Sequence, residues 1–134
     1  MKKTITSDKI YISKSKIPNA GRGVFAKRDI KKNETIEECP VIDILKHEMP
    51  SLEGSSLIAY IYFLGKKKDQ AKLVLGFGSI YNHAYKPNAK YKLRQKDSIV
   101  EFICTKNIKK DSEITVSYNP KNLKNKLPLW FEVI

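Results

Sequence analysis

Three short stretches of this sequence carry residue types that can do chemistry. The first is Gly21-Arg22-Gly23, which runs on into Val24-Phe25-Ala26. Glycines on both sides of an arginine remove Cβ atoms and let the backbone approach a ligand closely, although a plain hairpin turn uses the same residues. The second is Asn82-His83-Ala84, with Pro87-Asn88 four residues on, a polar cluster that follows an apolar run. Its histidine can serve a ligand or simply satisfy local backbone. The third is Glu113-Ile114-Thr115-Val116-Ser117-Tyr118, an alternating stretch that ends in a phenol. Read alone, that tyrosine is an ordinary strand-end aromatic.

Other chemistries are excluded by what is missing. No Ser or Cys stands with a His and an acid at motif spacing, and no Gly-rich loop ends in Gly-Lys-Ser or Gly-Lys-Thr. Cys39, Cys104, His47 and His83 have no zinc-ligand spacing. Neither Gly21-Arg22-Gly23 nor Gly76-Phe77-Gly78 completes the dinucleotide fingerprint.

The elements that must position these stretches read as short strands separated by turn residues. Lys9–Ser13 and Val24–Ala26 read as extended, with a turn over Ile17–Gly21 between them. Lys31-Lys32-Asn33 turns into a strand from Glu34 to Cys39, which Pro40 ends or bends. Val41–Leu45 reads as a further strand. Lys46–Ser56 is long enough to hold a short helix or an ordered insertion, and Pro50 and Gly54 argue against a long helix. Leu57–Leu64 fits either a strand or two turns of buried helix. Ala71–Leu75 is short and apolar, Gly76-Phe77-Gly78 lets the chain bend, and Asn82–Asn88 reads as loop. Ala89–Arg94 and Ile99–Thr105 alternate and form a hairpin through Gln95–Ser98. Ile114–Tyr118 is the last strand, stopped by Asn119-Pro120.

With 134 residues, 41% hydrophobic and 30% charged, the chain has the composition of one globular domain. Its longest apolar run, Leu57–Leu64, falls far short of the ~20 residues a bilayer span requires, so no membrane helix is expected. Lys2 and Lys3 are followed by no apolar stretch, so no secretory signal is expected either. Cys39 and Cys104 read as buried reduced thiols, which suits a reducing, cytoplasmic setting. The 26 Lys and Arg against 14 Asp and Glu give a net charge of +12. Arg22, Arg28 and Arg94 are the only arginines, and phosphate-fork and base-edge recognition favour arginine. A solvated lysine-rich surface is therefore expected rather than a nucleic-acid groove.

In this order and at these intervals, the three stretches resemble the SET-domain protein-lysine methyltransferases. Gly21-Arg22-Gly23 is similar to the family's first cofactor motif. Asn82-His83 and Pro87-Asn88 are similar to its Asn-His-Ser…Pro-Asn motif, with Ala84 in place of the Ser. Glu113–Tyr118 is similar to its Glu-Leu/Ile-Thr-x-x-Tyr strand, and Lys109-Lys110-Asp111-Ser112 fits the turn before it. The resemblance covers Lys9 to Tyr118 and is nearest to the minimal stand-alone type of large viruses and some bacteria.

The resemblance implies a mainly β SET fold of the β-clip type, with small curved sheets, little helix and a knot-like threading of the C-terminal segment. It implies one SET domain over residues 1–134, with a core of about 9–118 and a tail, 119–134, that closes the site or anchors in the core. It implies S-adenosylmethionine as cofactor, held by Arg22, Gly23, Asn82 and His83, with Trp130 covering it. Tyr118 is implied as the catalytic tyrosine, Tyr60 or Tyr62 and Tyr91 as the walls of a lysine channel, and Val116 as a position that sets methyl number. No metal is implied, because the zinc-binding cysteine segments of larger relatives are absent.

The implied partner is a protein carrying the target lysine, such as a histone, a histone-like protein or a ribosomal protein, with homodimerisation left open and nucleic acid not required. The setting becomes nuclear if the substrate is chromatin. A basic tail meets a net charge of +12, which a local acidic groove of Glu34, Glu37, Glu38 or Glu101 would offset. The competing reading is a non-catalytic SET-like module whose basic surface binds nucleic acid or a protein.

Overall fold

The structure, a computed structural model, describes residues 3–67 and 69–118. In chain order its strands are β1 (Ile10–Lys14), β2 (Arg22–Ala26), β3 (Thr35–Asp43), β4 (Ile61–Leu64), β5 (Gln70–Val74), β6 (Asn82–His83), β7 (Ala89–Arg94), β8 (Ile99–Cys104) and β9 (Glu113–Val116). One short helix, α1 (Met49–Glu53), lies between single 3-10 turns at Lys46–Glu48 and Ser56–Tyr60.

The strands form two sheets. One has the order β4-β5-β3-β8-β7 and is antiparallel throughout. Its centre follows from alternation: Val100, Phe102 and Cys104 all point inward from β8 and are fully buried. The hairpin of β7 and β8 matches the sequence reading, with Ser98 closing the turn in the left-handed region at φ 54°. The second sheet has the order β1-β2-β9-β6. Here β9 inserts between β2, to which it is antiparallel, and β6, to which it is parallel. A strand from the end of the described chain thus lies between segments from near its start and its middle. This is the knot-like arrangement the resemblance implied, and residue periodicity carries no trace of it.

The main core joins both sheets through Ile10, Val24, Ile36, Tyr62, Phe102, Ile114 and Val116. A smaller cluster of Ile61, Phe63 and Ala71 is covered by Ile44, Met49, Leu52 and Ile58, so the 46–60 segment serves as a lid on the β4–β5 pair. Cys39 and Cys104 are both free and buried, as expected.

Four local expectations change. Leu57–Leu64 is neither strand nor helix throughout: Ser56–Tyr60 forms a 3-10 turn and Ile61–Leu64 a strand. Pro40 does not end its strand, and β3 continues to Asp43. A proline lacks only its donor, and the Pro40 carbonyl still accepts the Leu75 N–H at 2.9 Å. Asn82-His83 is not loop but a two-residue strand, because pairing with Thr115 and Val116 imposes extended backbone on it. The last strand stops at Val116, two residues short of Tyr118.

Candidate active site

The site is assembled around β9. Asn88, the second residue of the Pro-Asn pair, gives its side-chain N–H to the Glu113 carbonyl at 2.9 Å and accepts the Thr115 N–H at 2.8 Å. In an extended strand the C=O of one residue and the N–H of the residue two further on face the same edge. The Asn88 amide therefore satisfies β9 as a neighbouring strand would, and locks the threaded segment in place.

The Glu113 side chain ties β9 to the first glycine motif. Its carboxylate accepts the Ser15 hydroxyl at 2.9 Å, the Lys16 N–H at 3.0 Å and the Asn82 amide at 2.9 Å. The same Asn82 nitrogen donates to the Arg22 carbonyl at 2.8 Å. Gly23 is required at this junction, since a Cβ would collide with the Glu113 carboxylate and lie 3.1 Å from the Asn82 nitrogen. Gly21, at φ +79°, has open space where its Cβ would be, and Arg22 is exposed. The structure thus brings Arg22, Gly23 and Asn82 together. Glu113 is the organising residue that sequence reasoning passed over, although it opens the motif that ends in Tyr118.

Tyr118 is buried, at 6% exposure. Its hydroxyl donates to the Tyr81 carbonyl at 2.7 Å, and its backbone N–H donates to His83 Nδ1 at 2.9 Å. The His83 and Tyr118 rings lie 5.1 Å apart. Beyond the cofactor position the resemblance implies for it, His83 accepts a hydrogen bond at the tyrosine's own peptide through its side chain. Burial pushes the Tyr118 hydroxyl above the ordinary tyrosine range, with Tyr91, Glu113 and Tyr60 adding to the rise. The group is therefore a neutral phenol at neutral pH.

Tyr91 is half-buried on β7, and its hydroxyl donates to the Ser117 carbonyl at 3.2 Å, beside Tyr118. Its ring meets that of Tyr62 edge-on at 5.1 Å. Tyr62 is 1% exposed and gives its hydroxyl to the Gly78 carbonyl at 2.8 Å, whereas Tyr60 is half-buried. Val116 is fully buried in the main core. Trp130 and the 119–134 tail lie outside the described residues.

Of the four carboxylates that could make an acidic groove, Glu37, Glu38 and Glu101 line one open surface cavity together with Asp8 and Lys9, and Glu34 is not among its lining residues. Lys9 and Arg28 pair with Glu34, Arg94 pairs with Glu38 and reaches Glu101 at 3.9 Å, and Glu37 turns into the core. Among the described residues no cluster of three or more His, Cys, Asp or Glu could hold a metal, and no helix is long and apolar enough to cross a membrane.

Fold and site together define a small β protein with a buried tyrosine threaded between two glycine- and asparagine-bearing segments. Residues 21–119 match the SET domain, and the chain belongs to the SET-domain family. It is 30% identical over 112 residues to a histone-lysine N-methyltransferase of Schizosaccharomyces pombe specific for histone H3 lysine-37, covering 84% of this chain and 71% of that protein. Among solved structures it is similar to a candidate histone methyltransferase of Plasmodium falciparum, with 38% identity, TM-score 0.69, and coverage of 87% of this chain and 96% of the other. The fold also matches ctPRC2 bound to S-adenosylmethionine in an autoinhibited conformation, with 21% identity and TM-score 0.71; that match covers 90% of this chain and 16% of the other. The methyltransferases of the SET family use S-adenosylmethionine as methyl donor.

Proposed function

We propose that this chain, acting as a single SET domain, transfers a methyl group from S-adenosylmethionine to the ε-amine of a lysine in a protein substrate. The observation that carries the reading is the Tyr118 hydroxyl, held on the Tyr81 carbonyl at 2.7 Å in a buried position with Tyr91 and the Ser117 carbonyl alongside. The chemistry of the residues present suits the cofactor. An exposed Arg22 cation fits a carboxylate, the open backbone at Gly21 admits close approach, and the Asn82 amide is bonded to the Arg22 carbonyl, with His83 next in the chain. When bound, S-adenosylmethionine supplies a methyl group activated by a sulfonium.

The protein's own part is positioning. A lysine entering a buried, phenol-lined space is disfavoured as an ammonium, because burial penalises the charged form and lowers its pKa. Tyr118, kept protonated by burial, does not abstract a proton. A phenol that gives its proton to a carbonyl can still accept one, so Tyr118 orients the amine by accepting its N–H. The Tyr81 and Ser117 carbonyls supply further acceptors at fixed positions. Alignment of this kind contributes through orientation rather than acid–base chemistry. Of Tyr60 and Tyr62, we assign Tyr60 to the channel, since Tyr60 is half-buried whereas Tyr62 is 1% exposed and backs the Tyr91 ring at 5.1 Å. The Schizosaccharomyces pombe relative supports a histone as the substrate, and hence a nuclear or cytoplasmic setting.

The test combines calorimetric titration of the cofactor in EDTA with mass spectrometry of core histones after incubation with isotope-labelled S-adenosylmethionine. Tyr118→Phe is expected to fold, to bind the cofactor normally and to lose transfer by about a hundredfold or more, because its hydroxyl acts mainly in the transition state. Normal turnover in Tyr118→Phe would refute the role, and no binding heat at millimolar cofactor would refute the enzyme reading.

A further inference from the structure

Among the buried ionisable groups that this mechanism leaves unused, Glu37 stands nearest to Tyr81. Glu37 lies on β3 at 8% exposure, and no salt bridge reaches it among the described residues. A lone buried carboxyl is costly, and burial raises its pKa above the ordinary glutamate value. Its two oxygens are nonetheless well used. Oε1 accepts the Tyr81 hydroxyl at 2.8 Å, and Oε2 accepts the Phe77 N–H at 2.9 Å. Gly76, at φ +63°, lets the loop lie against it: a Cβ there would fall 2.6 Å from Oε2. Gly76-Phe77-Gly78, which completed no nucleotide motif, thus has a use as the strip of backbone that packs on a carboxylate.

The loop so held ends at Tyr81, and the Tyr81 carbonyl is the acceptor of the Tyr118 hydroxyl. The Tyr81 ring is fully buried and stacked on Phe102 at 4.2 Å, so once its hydroxyl is fixed the residue has little freedom to shift. Glu37 therefore grips both ends of the Phe77–Tyr81 segment, through the backbone at one end and a side chain at the other. We propose that Glu37 is a positioning residue, which sets the direction of the Tyr118 hydroxyl through Tyr81 without touching substrate or cofactor. The proposal rests on the catalytic reading of Tyr118.

The test uses the full chain with tyrosine labelled by 13C at Cζ, whose shift reports the hydrogen bond of its own hydroxyl. The seven tyrosines are assigned by single Tyr→Phe variants. Glu37→Gln retains the shape but has an acceptor at only one of its two terminal atoms, so it cannot serve the Phe77 N–H and the Tyr81 hydroxyl from separate oxygens as the carboxylate does. It is expected to move the Tyr118 resonance, and Tyr81→Phe is expected to move it too, with the double variant adding little to the larger single effect. With labelled S-adenosylmethionine and core histones, each single variant is expected to lower kcat about tenfold while the KM for cofactor stays within twofold.

A Tyr118 resonance at its wild-type position in folded Glu37→Gln overturns the proposal. If Glu37→Gln does not fold, an unmoved resonance in Tyr81→Phe overturns it equally. A wild-type chain that transfers no methyl, yet shows the resonance shifts, overturns the proposed function and supports the link from Glu37 to Tyr118.

Discussion

Asn88→Ala isolates the clamp that holds β9 in its threaded position. The substitution removes two hydrogen bonds, to the Glu113 carbonyl at 2.9 Å and from the Thr115 N–H at 2.8 Å, while changing no backbone of β9 itself. Leaving a buried backbone group without a partner costs about 1–3 kcal/mol. Both bonds here are partly buried, so water recovers a fraction, and a total loss of about 2–4 kcal/mol is expected. For a domain of this size each kcal/mol corresponds to about 4 °C in Tm, so the melting temperature should fall by about 8–16 °C. Asn88→Asp is expected to do no better, since a carboxylate keeps the acceptor for Thr115 but turns an oxygen toward the Glu113 carbonyl. Lys90→Ala, exposed on the adjoining strand, should stay within about 0.5 kcal/mol of wild type. Circular dichroism melts of the three variants provide the comparison. An Asn88→Ala protein that melts within about 2 °C of wild type would show that the amide does not hold the strand.

Further outcomes follow from the same geometry. Gly23→Ala should weaken cofactor binding and cost about 1–3 kcal/mol of stability, because its Cβ drives the Glu113 carboxylate off Asn82; calorimetry and a denaturant titration read both. Tyr91→Phe deletes the hydroxyl held at the Ser117 carbonyl, which should shift the products toward higher methylation while sparing the first transfer, as mass spectrometry of the methylated lysine will show. Glu34 is held at about 2, first by the Lys9 hydrogen bond and then by the Lys31 backbone, below an ordinary value of 4.5. Folded Glu34 binds fewer protons than unfolded Glu34 in that window, so its stabilisation is complete above pH 4.5 and is lost as the pH falls toward 2. Glu34→Gln should flatten that part of the stability curve in urea titrations run at stepped pH.

What the sequence determined by itself was the mainly β character of the chain, the β7–β8 hairpin and the identity of the motif residues. These are local properties: alternation, turn chemistry and residue type are written within ten positions of one another. Tertiary structure decided the rest. Asn82-His83 reads as loop until β9 lies parallel to it, because a two-residue strand has no periodicity of its own. His83 and Tyr118 stand 35 residues apart, and only the threading of β9 delivers the tyrosine's N–H to the imidazole. Glu37 and Glu38 are adjacent, identical and featureless in sequence. A bulge between Thr35 and Glu37 sends both Ile36 and Glu37 inward and leaves Glu38 to pair with Arg94. A register irregularity of that kind depends on the partner strand, so which glutamate enters the core and supports the site is settled by β8 rather than by β3's own residues.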